Sequence, residues 1–476
     1  MTPAPAEPAA VRTHRRRPPP GPTGGRLANL RERFSDFPGF LSRLNREYGD
    51  VVSYQLPGKD FCVVFDADLI REMLVEKRRF FLKSSLYDVS DRFITKPAVF
   101  ISEGDDHRRR RKLVERVFGQ EHLEAYAEIM VENARALQER WSTGEALDAA
   151  REMHRVARTI AFGTFFGRDR QDAQGIGATA VRAFKRDLAI GFLPLSGLLR
   201  SLPLPGNIRA ARTCRALDEI VFEAIRRARD PHYDGSDLTA RMVRSRDAAG
   251  IDSAFSDEEV RNEIYVLLLA NFDPMASALT WSIDYITRNP TVRERLEQEA
   301  DEVLGDRPIT VADYARLPYA RGVFLEAGRL TPPNYYFDRE AEEDCSLGGY
   351  EIRKGTIMQP CFRVCHRQAR HWSQPDEFRP ERWLTDQPPS TCPQHAFLMF
   401  SHGPRACLGR EFATMEGTYI LASIAQGFRL EAVADRPPKV DGTLLYMVKG
   451  GLPIIATARR SSRTGSTRVP RSSASQ

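Results

Sequence analysis

The stretch FSHGPRACLGR, Phe400–Arg410, sets one cysteine, Cys407, between Gly403 and Gly409, just ahead of the apolar run EFATMEGTYILASIAQGF, which reads as a buried helix. Glycines let a backbone turn tightly or pass close to a flat partner. A helix start and a nearby arginine both favour negative charge, so the position suits a thiolate. Thiolates attack substrates, join redox pairs or bind metal, and no second cysteine stands at CxxC spacing to make a redox pair. On this stretch alone, a plain buried thiol is the competing reading.

The 476 residues include 42% hydrophobic ones, enough for a large core, and no linker-like stretch divides the interior. The formal charge of +6 is unevenly placed. Residues 1–25 carry +3 and residues 459–476 carry +5, which leaves −2 for the body. The basicity therefore belongs to the tails, and the fold itself is not expected to bind nucleic acid. Both tails are poor in large apolar residues and read as disordered. A single folded domain over 26–458 is the expectation. The triplet Arg15–Arg17 precedes PPPGPTGG where an export signal needs an apolar core, and no run of about 18 apolar residues appears. Neither export nor a membrane anchor is expected, and the chain reads as cytoplasmic. Seven scattered cysteines do not suggest disulfides. The cluster CFRVCH, Cys361–His366, lacks the spacing and the second pair of a zinc site.

Alternation in VVSYQLPGKDFCVVF predicts a hairpin over Val51–Phe65 leading into a helix. Strands are expected again near LGGYEIRKGTIMQP and in LLYMVKGGLPIIATA, while Glu124–Trp141, Ala210–Arg229 and Ser256–Thr287 read as long helices.

The spacing Phe400, Gly403, Arg405, Cys407, Gly409 resembles the haem-binding loop of the cytochrome P450 family and fills every fixed position of it. The resemblance implies a mainly α fold with small peripheral β-sheets. It also implies haem b with the Cys407 thiolate as axial iron ligand. In the same family pattern, Phe400 packs beside the sulfur, Arg405 pairs with a haem propionate, and Gly409 lets the next helix pass close under the porphyrin. Two further marks agree. In GVFLEAGRLTPP, Glu326 and Arg329 share a helix face, and PDEFRPERW, Pro375–Trp383, supplies Arg382. In the family these three form a buried structural charge network. DDHRRRRKLVERVF would ordinarily be a solvated charge run. By resemblance, its His107 and Arg111, together with Arg339 from TPPNYYFDRE, clamp the propionates.

One segment departs from the family. IYVLLLANFDPMASALTW, Ile264–Trp281, reads as the central buried helix crossing the haem, where the family usually has Ala, Gly, any residue, an acid, Thr, Thr. Here Ala270, Asn271, Phe272, Asp273, Pro274 and Met275 stand instead. Asp273 keeps the acid of the family's proton relay, but the hydroxyl is gone. Pro274 cannot donate to the carbonyl of Ala270, so a kink is expected there. Two readings stay open: ordinary monooxygenation with water or a substrate hydroxyl in place of the threonine, or an atypical reaction such as desaturation, coupling, rearrangement or peroxide use. A non-catalytic haem-binding protein is the third class, and the intact cysteine loop speaks against it.

By resemblance the substrate pocket takes in Asn271, Asn334, Tyr335, Phe337 and Met447, with stretches near Tyr87–Phe100 and Phe184–Pro205. The inventory suits a medium-sized, mainly apolar molecule, and SLPLPGN resembles a segment of bacterial family members that act on terpenoids, which implies a terpenoid or other secondary metabolite. With no fused redox domain in view, electrons from NAD(P)H are expected through a separate ferredoxin and ferredoxin reductase. A monomer is expected.

Overall fold

The computed structural model describes residues 17–90, 97–144, 146–168, 174–191, 196–248, 256–384 and 394–459. Helices dominate, and four small sheets lie at the periphery. The longest helix, Asp257–Arg288, is fixed at its start by a capping box. Ser256 accepts from the Glu259 N–H at 3.2 Å, and Glu259 accepts from the Ser256 N–H at 2.8 Å. Three acids in its first turn and Arg288 in its last complement the helix dipole. The helix is apolar on most sides and buried in the main core, packed along the helix Ala149–Phe166. Among the described helices it alone is long and apolar enough to cross a membrane, but 72% of its apolar window is buried inside the protein. It continues through Pro274 with no residue of non-helical backbone, so the expected kink is not marked by any break in the helix.

The expected hairpin forms from Val51–Leu56 and Lys59–Val64 and opens a five-stranded sheet. That sheet continues through Ile357–Pro360, Arg339–Ala341 and Phe81–Lys83. Its face packs on the N-terminal helix Arg26–Tyr48 through Phe37, Phe40, Tyr54 and Phe61. The ordered chain starts earlier than the sequence suggests. Ser53 donates its N–H to the carbonyl of Pro20 (2.8 Å) and its hydroxyl to that of Pro19 (2.7 Å). Glu351 likewise donates to the carbonyl of Arg17 (3.1 Å). Residues 17–21 thus lie against strand residues of two sheets, offering backbone carbonyls to Ser53 and Glu351. The remaining tail residues, 1–16 and 460–476, lie outside the described residues, as do Cys392 and parts of the pocket stretches 87–100 and 184–205.

The helix Arg410–Gly427 packs against Gln120–Arg140 and Pro318–Leu330. A side chain on Gly328 would stand 2.0 Å from the sulfur of Met399. This close approach seats the segment leading to Cys407 directly on the helix that carries Glu326 and Arg329.

Candidate functional site

The cysteine loop is held by its own backbone. Cys407 donates its N–H to the carbonyl of Phe400 (2.8 Å), and Ala406 donates to that of Gly403 (2.9 Å). Gly403 has φ +76°, and a Cβ added there would stand 3.0 Å from the Leu74 carbonyl, so both its conformation and its surroundings disfavour a side chain. No protein atom lies within 4 Å of where a Cβ on Gly409 would stand, so packing within the chain does not demand that glycine. The Cys407 side chain is accessible, yet burial pushes its thiol up. The Gly409 N–H and the charges of Arg410 and Arg111 oppose that shift. A side chain both accessible and enclosed by protein faces an internal space. Thiolate character there calls for a positive partner such as a metal.

Beside the loop lies a set of cations only partly matched by Glu115, Glu103 and Asp338. His107 and Arg111 both sit on the helix Gly104–Val117, and Arg111 Nη1 donates to the carbonyl of Ala406 at 2.9 Å. Arg405 bonds the Ser102 carbonyl and pairs with Glu103 at 2.5 Å. Arg339 is buried, lies 4.5 Å over the ring of Phe337, and directly opposes Lys83 on the neighbouring antiparallel strand. Like charges facing each other across strands are destabilising unless something negative lies between them. The electrostatics register this strain. Burial, then the charges of Arg405 and Arg111, push His107 down to about 4. Burial with the charge of Arg405 pushes Arg339 down to about 10. Lys83 is driven well below its ordinary range by burial, Arg339 and Arg405. Glu103 and Asp338 oppose these shifts. The donor set fits a dianionic group next to a thiolate, as haem would present. Lys83 is the member that sequence reasoning missed, because only strand pairing brings it to Arg339.

This strain has a measurable consequence. The folded His107 value of about 4 lies below the ordinary 6.5. As pH falls through that window, the unfolded chain takes up a proton that the fold refuses. Stability from neutral His107 is full above the window and is lost progressively within it. Denaturant unfolding of cofactor-free protein at either end of the window should show this loss, and His107→Gln should flatten it.

The buried network assembles as expected. Arg329 and Glu326 are fully buried and make a two-point ion pair, 2.9 and 2.8 Å. Arg382 Nε donates to Glu326 at 3.1 Å. Arg329 also donates to the carbonyls of His366, Pro375 and Glu377 at 2.7–3.0 Å. His366 carries the network to the loop. Its Nδ1 lies 2.8 Å from the carbonyl of Arg329, and its Nε2 accepts from the N–H of Leu398 at 2.7 Å. Those partners require a neutral ring with the proton on Nδ1. Burial, against the Arg329 hydrogen bond, holds its pKa down at about 3. Both nitrogens of the CFRVCH histidine are therefore engaged.

On the central helix, Leu267, Ala270, Asn271 and Pro274 are accessible, as is Leu269 in part, while Val266, Leu268, Phe272, Asp273 and Met275 are buried. The spacing of three, four and seven among the first four places them on one face, which borders an internal space. Asn271 lies on that face, but its Oδ1 is itself buried and has no hydrogen bond. Asp273 does not share that face. It is buried and paired with Lys185 of the helix Gln174–Gly191 and with His154 Nδ1 at 3.4 Å. Burial works against its ionisation, but His154 and Lys185 outweigh it and hold the carboxyl at about 2. An acid so engaged is a poor proton donor. Lys185 also reaches Met447 Sδ at 3.4 Å. The Tyr446 carbonyl next to Met447 accepts from Ser277 (2.7 Å) and Trp281 (2.8 Å), docking that turn on the central helix. Asn334 is exposed. Tyr335 is fully buried among Phe37, Tyr336 and Tyr446, with its hydroxyl given to the Gly442 carbonyl. In this structure Tyr335 is core rather than a free pocket anchor.

A family model described as Cytochrome P450 matches residues 16–454. A cyclooctat-9-en-7-ol 5-monooxygenase of Streptomyces melanosporofaciens is 29% identical over 81% of this chain and 83% of its own. A cyclooctatin synthase of the same organism is 30% identical over 81% and 84%. A pentalenene oxygenase of Streptomyces avermitilis is 29% identical over 83% and 87%. A solved structure of a retinoic-acid-bound cyanobacterial CYP120A1 superposes with a TM-score of 0.80 at 22% identity, covering 93% of this chain and 99% of that one.

Proposed function

Because this chain belongs to the cytochrome P450 family, we propose that it is a monooxygenase that inserts oxygen into a medium-sized, mainly apolar terpenoid, drawing electrons from separate redox proteins. The observation that carries this reading is the enclosed, accessible thiol of Cys407 beside the cluster of His107, Arg111, Arg339, Arg405 and Lys83. In it, Cys407 ligates the haem iron, the cation cluster holds the propionates, and Phe400, Gly403 and Gly409 shape the loop. When bound, haem supplies dioxygen activation, tuned by electron donation from the thiolate.

The chain's own residues position the substrate. Leu267, Ala270 and Pro274 offer an apolar wall, Met447 adds to it, and Asn271 lies on the same helix face. The relatives' names support a terpenoid class. NAD(P)H would supply electrons through a ferredoxin and its reductase.

The pairing of Asp273 with Lys185 and His154, and Pro274 in place of a threonine, favour a second reading in which no oxygen is inserted. Comparative mass spectrometry decides between the two, using producing cells grown under ¹⁸O-labelled dioxygen with the intact gene or a Cys407→Ala version. The expected difference is a product carrying one labelled oxygen. A Cys407-dependent product without added oxygen would overturn monooxygenation and support the second reading.

A further inference from the structure

Glu263 is fully buried on the central helix, and neither the cation cluster nor the Glu326 network uses it. Both of its carboxylate oxygens serve one backbone group of another segment, accepting from the Val99 N–H at 2.9 and 3.0 Å. The adjacent Asn262 donates from Nδ2 to the Pro97 carbonyl at 3.4 Å. Residues 97–103 form neither helix nor strand, while Ala98 and Val99 are buried. The Val99 N–H therefore has no ladder to join, and a buried donor without a partner is costly. A carboxyl group taken wholly out of water is costly too, unless it is bonded, so the acid and the segment each satisfy the other.

The far end of the same stretch is fastened to the cysteine loop. Past Val99 the chain turns, with the Ala98 carbonyl accepting from Ile101 (3.1 Å) and Ser102 (2.9 Å). Ser102 then gives its own carbonyl to Arg405, and Glu103 pairs with Arg405 at 2.5 Å while accepting the Lys83 N–H at 2.7 Å. The helix that follows adds a brace: the buried Arg110 brings Nη1 to 3.5 Å from Glu263, holds Asp106 through Nε at 2.9 Å, and bonds Glu259. One short irregular stretch thus joins the central helix to the loop of Cys407. We propose that Glu263 is a positioning residue, which latches residues 97–103 onto the central helix and through them fixes the place of Arg405 beside Cys407. The consequence for haem rests on the proposed reading of the cation cluster; the latch itself does not. Burial pushes Glu263 up to about 7, against the Val99 N–H and Arg110, so it carries its proton for much of the time near neutral pH. Glutamine therefore stands close to it in charge as well as shape, and its amide oxygen can still accept from Val99.

The test uses the full-length haem-loaded protein and the variants Glu263→Ala, Glu263→Gln, Arg405→Gln and Glu263→Ala with Arg405→Gln. Hydrogen exchange over residues 97–103 is expected to quicken at least about tenfold in Glu263→Ala and to return towards wild type in Glu263→Gln. The helix Gln120–Arg140 should exchange as before, because a general loss of stability would quicken both regions. Unchanged exchange over 97–103 in Glu263→Ala, or equal quickening in both regions, would overturn the latch. So would a failure of Glu263→Gln to restore it. Haem transfer to excess apomyoglobin then reads the coupling to Arg405. Glu263→Ala and Arg405→Gln should each quicken transfer, and the double variant should go no more than about twofold beyond the faster single one, since both release the same stretch. Rate increases that multiply would mean that the two residues act independently, which overturns the coupling. An unchanged rate in Arg405→Gln alone would sink the reading of the cation cluster instead, and the exchange result would still decide the latch. Should Glu263→Ala not fold, Glu263→Asp, one methylene too short to keep the bond to Val99, takes its place.

Discussion

Glu326→Ala is expected to destabilise the fold by about 3–5 kcal/mol and to abolish stable haem retention. Glu326 is fully buried and is the acceptor for the Arg329 guanidinium, Arg382 Nε, the Arg379 N–H at 3.0 Å and Trp383 Nε1 at 3.0 Å. Truncation leaves two guanidinium groups without their carboxylate in a space that water does not reach, and a buried charge stripped of its partner costs more than the pair contributed. The damage should also travel to the cysteine loop, because Arg329 holds the His366 carbonyl and His366 in turn holds Leu398. Glu326→Gln, which keeps the shape and some acceptors, should lose less. Denaturant midpoints of the three proteins check the ranking. Equal stability of wild type and Glu326→Ala would contradict the network's structural role.

Cys407→Ser is expected to reduce product formation to background while leaving the fold nearly as stable as before. The Cys407 side chain is accessible, and the backbone bonds that shape its loop, from Cys407 N–H to Phe400 and from Ala406 to Gly403, do not involve the sulfur. A hydroxyl of similar size should preserve those bonds but lacks the thiolate's donation to iron. Thermal unfolding within a few degrees of wild type, with turnover absent, is the expected pair of results. Residual turnover well above background would place the chemistry elsewhere.

The parts of this account that were legible in the sequence are those set by local rules. The hairpin at Val51–Val64 follows from alternation, and the central helix begins within a residue of its expected start because Ser256 and Glu259 cap it reciprocally. The Glu326–Arg329 pair follows from helical spacing, and Arg382 joins it as the motif implies. What stayed hidden depends on non-local packing. Lys83 becomes part of the cation cluster only when Phe81–Lys83 pairs with Arg339–Ala341. His366 looks like a stray ligand candidate until its nitrogens are seen bridging Arg329 and Leu398. Asp273 was assigned by motif position, yet the helix turns it from the accessible stripe of Ala270, Asn271 and Pro274 towards His154 and Lys185. Proline content suggested a tail through residue 25, but the carbonyls of Arg17, Pro19 and Pro20 dock on strand residues that no local pattern identifies.

The central claim is that Cys407 holds haem iron as a thiolate. The ferrous carbon monoxide difference spectrum of the purified haem-loaded protein, recorded beside Cys407→Ser, tests it most directly. The account expects the long-wavelength band of thiolate-ligated haem in the wild type and its loss in the variant. A wild-type band at the imidazole-ligated position, or a thiolate band that survives in Cys407→Ser, would contradict it.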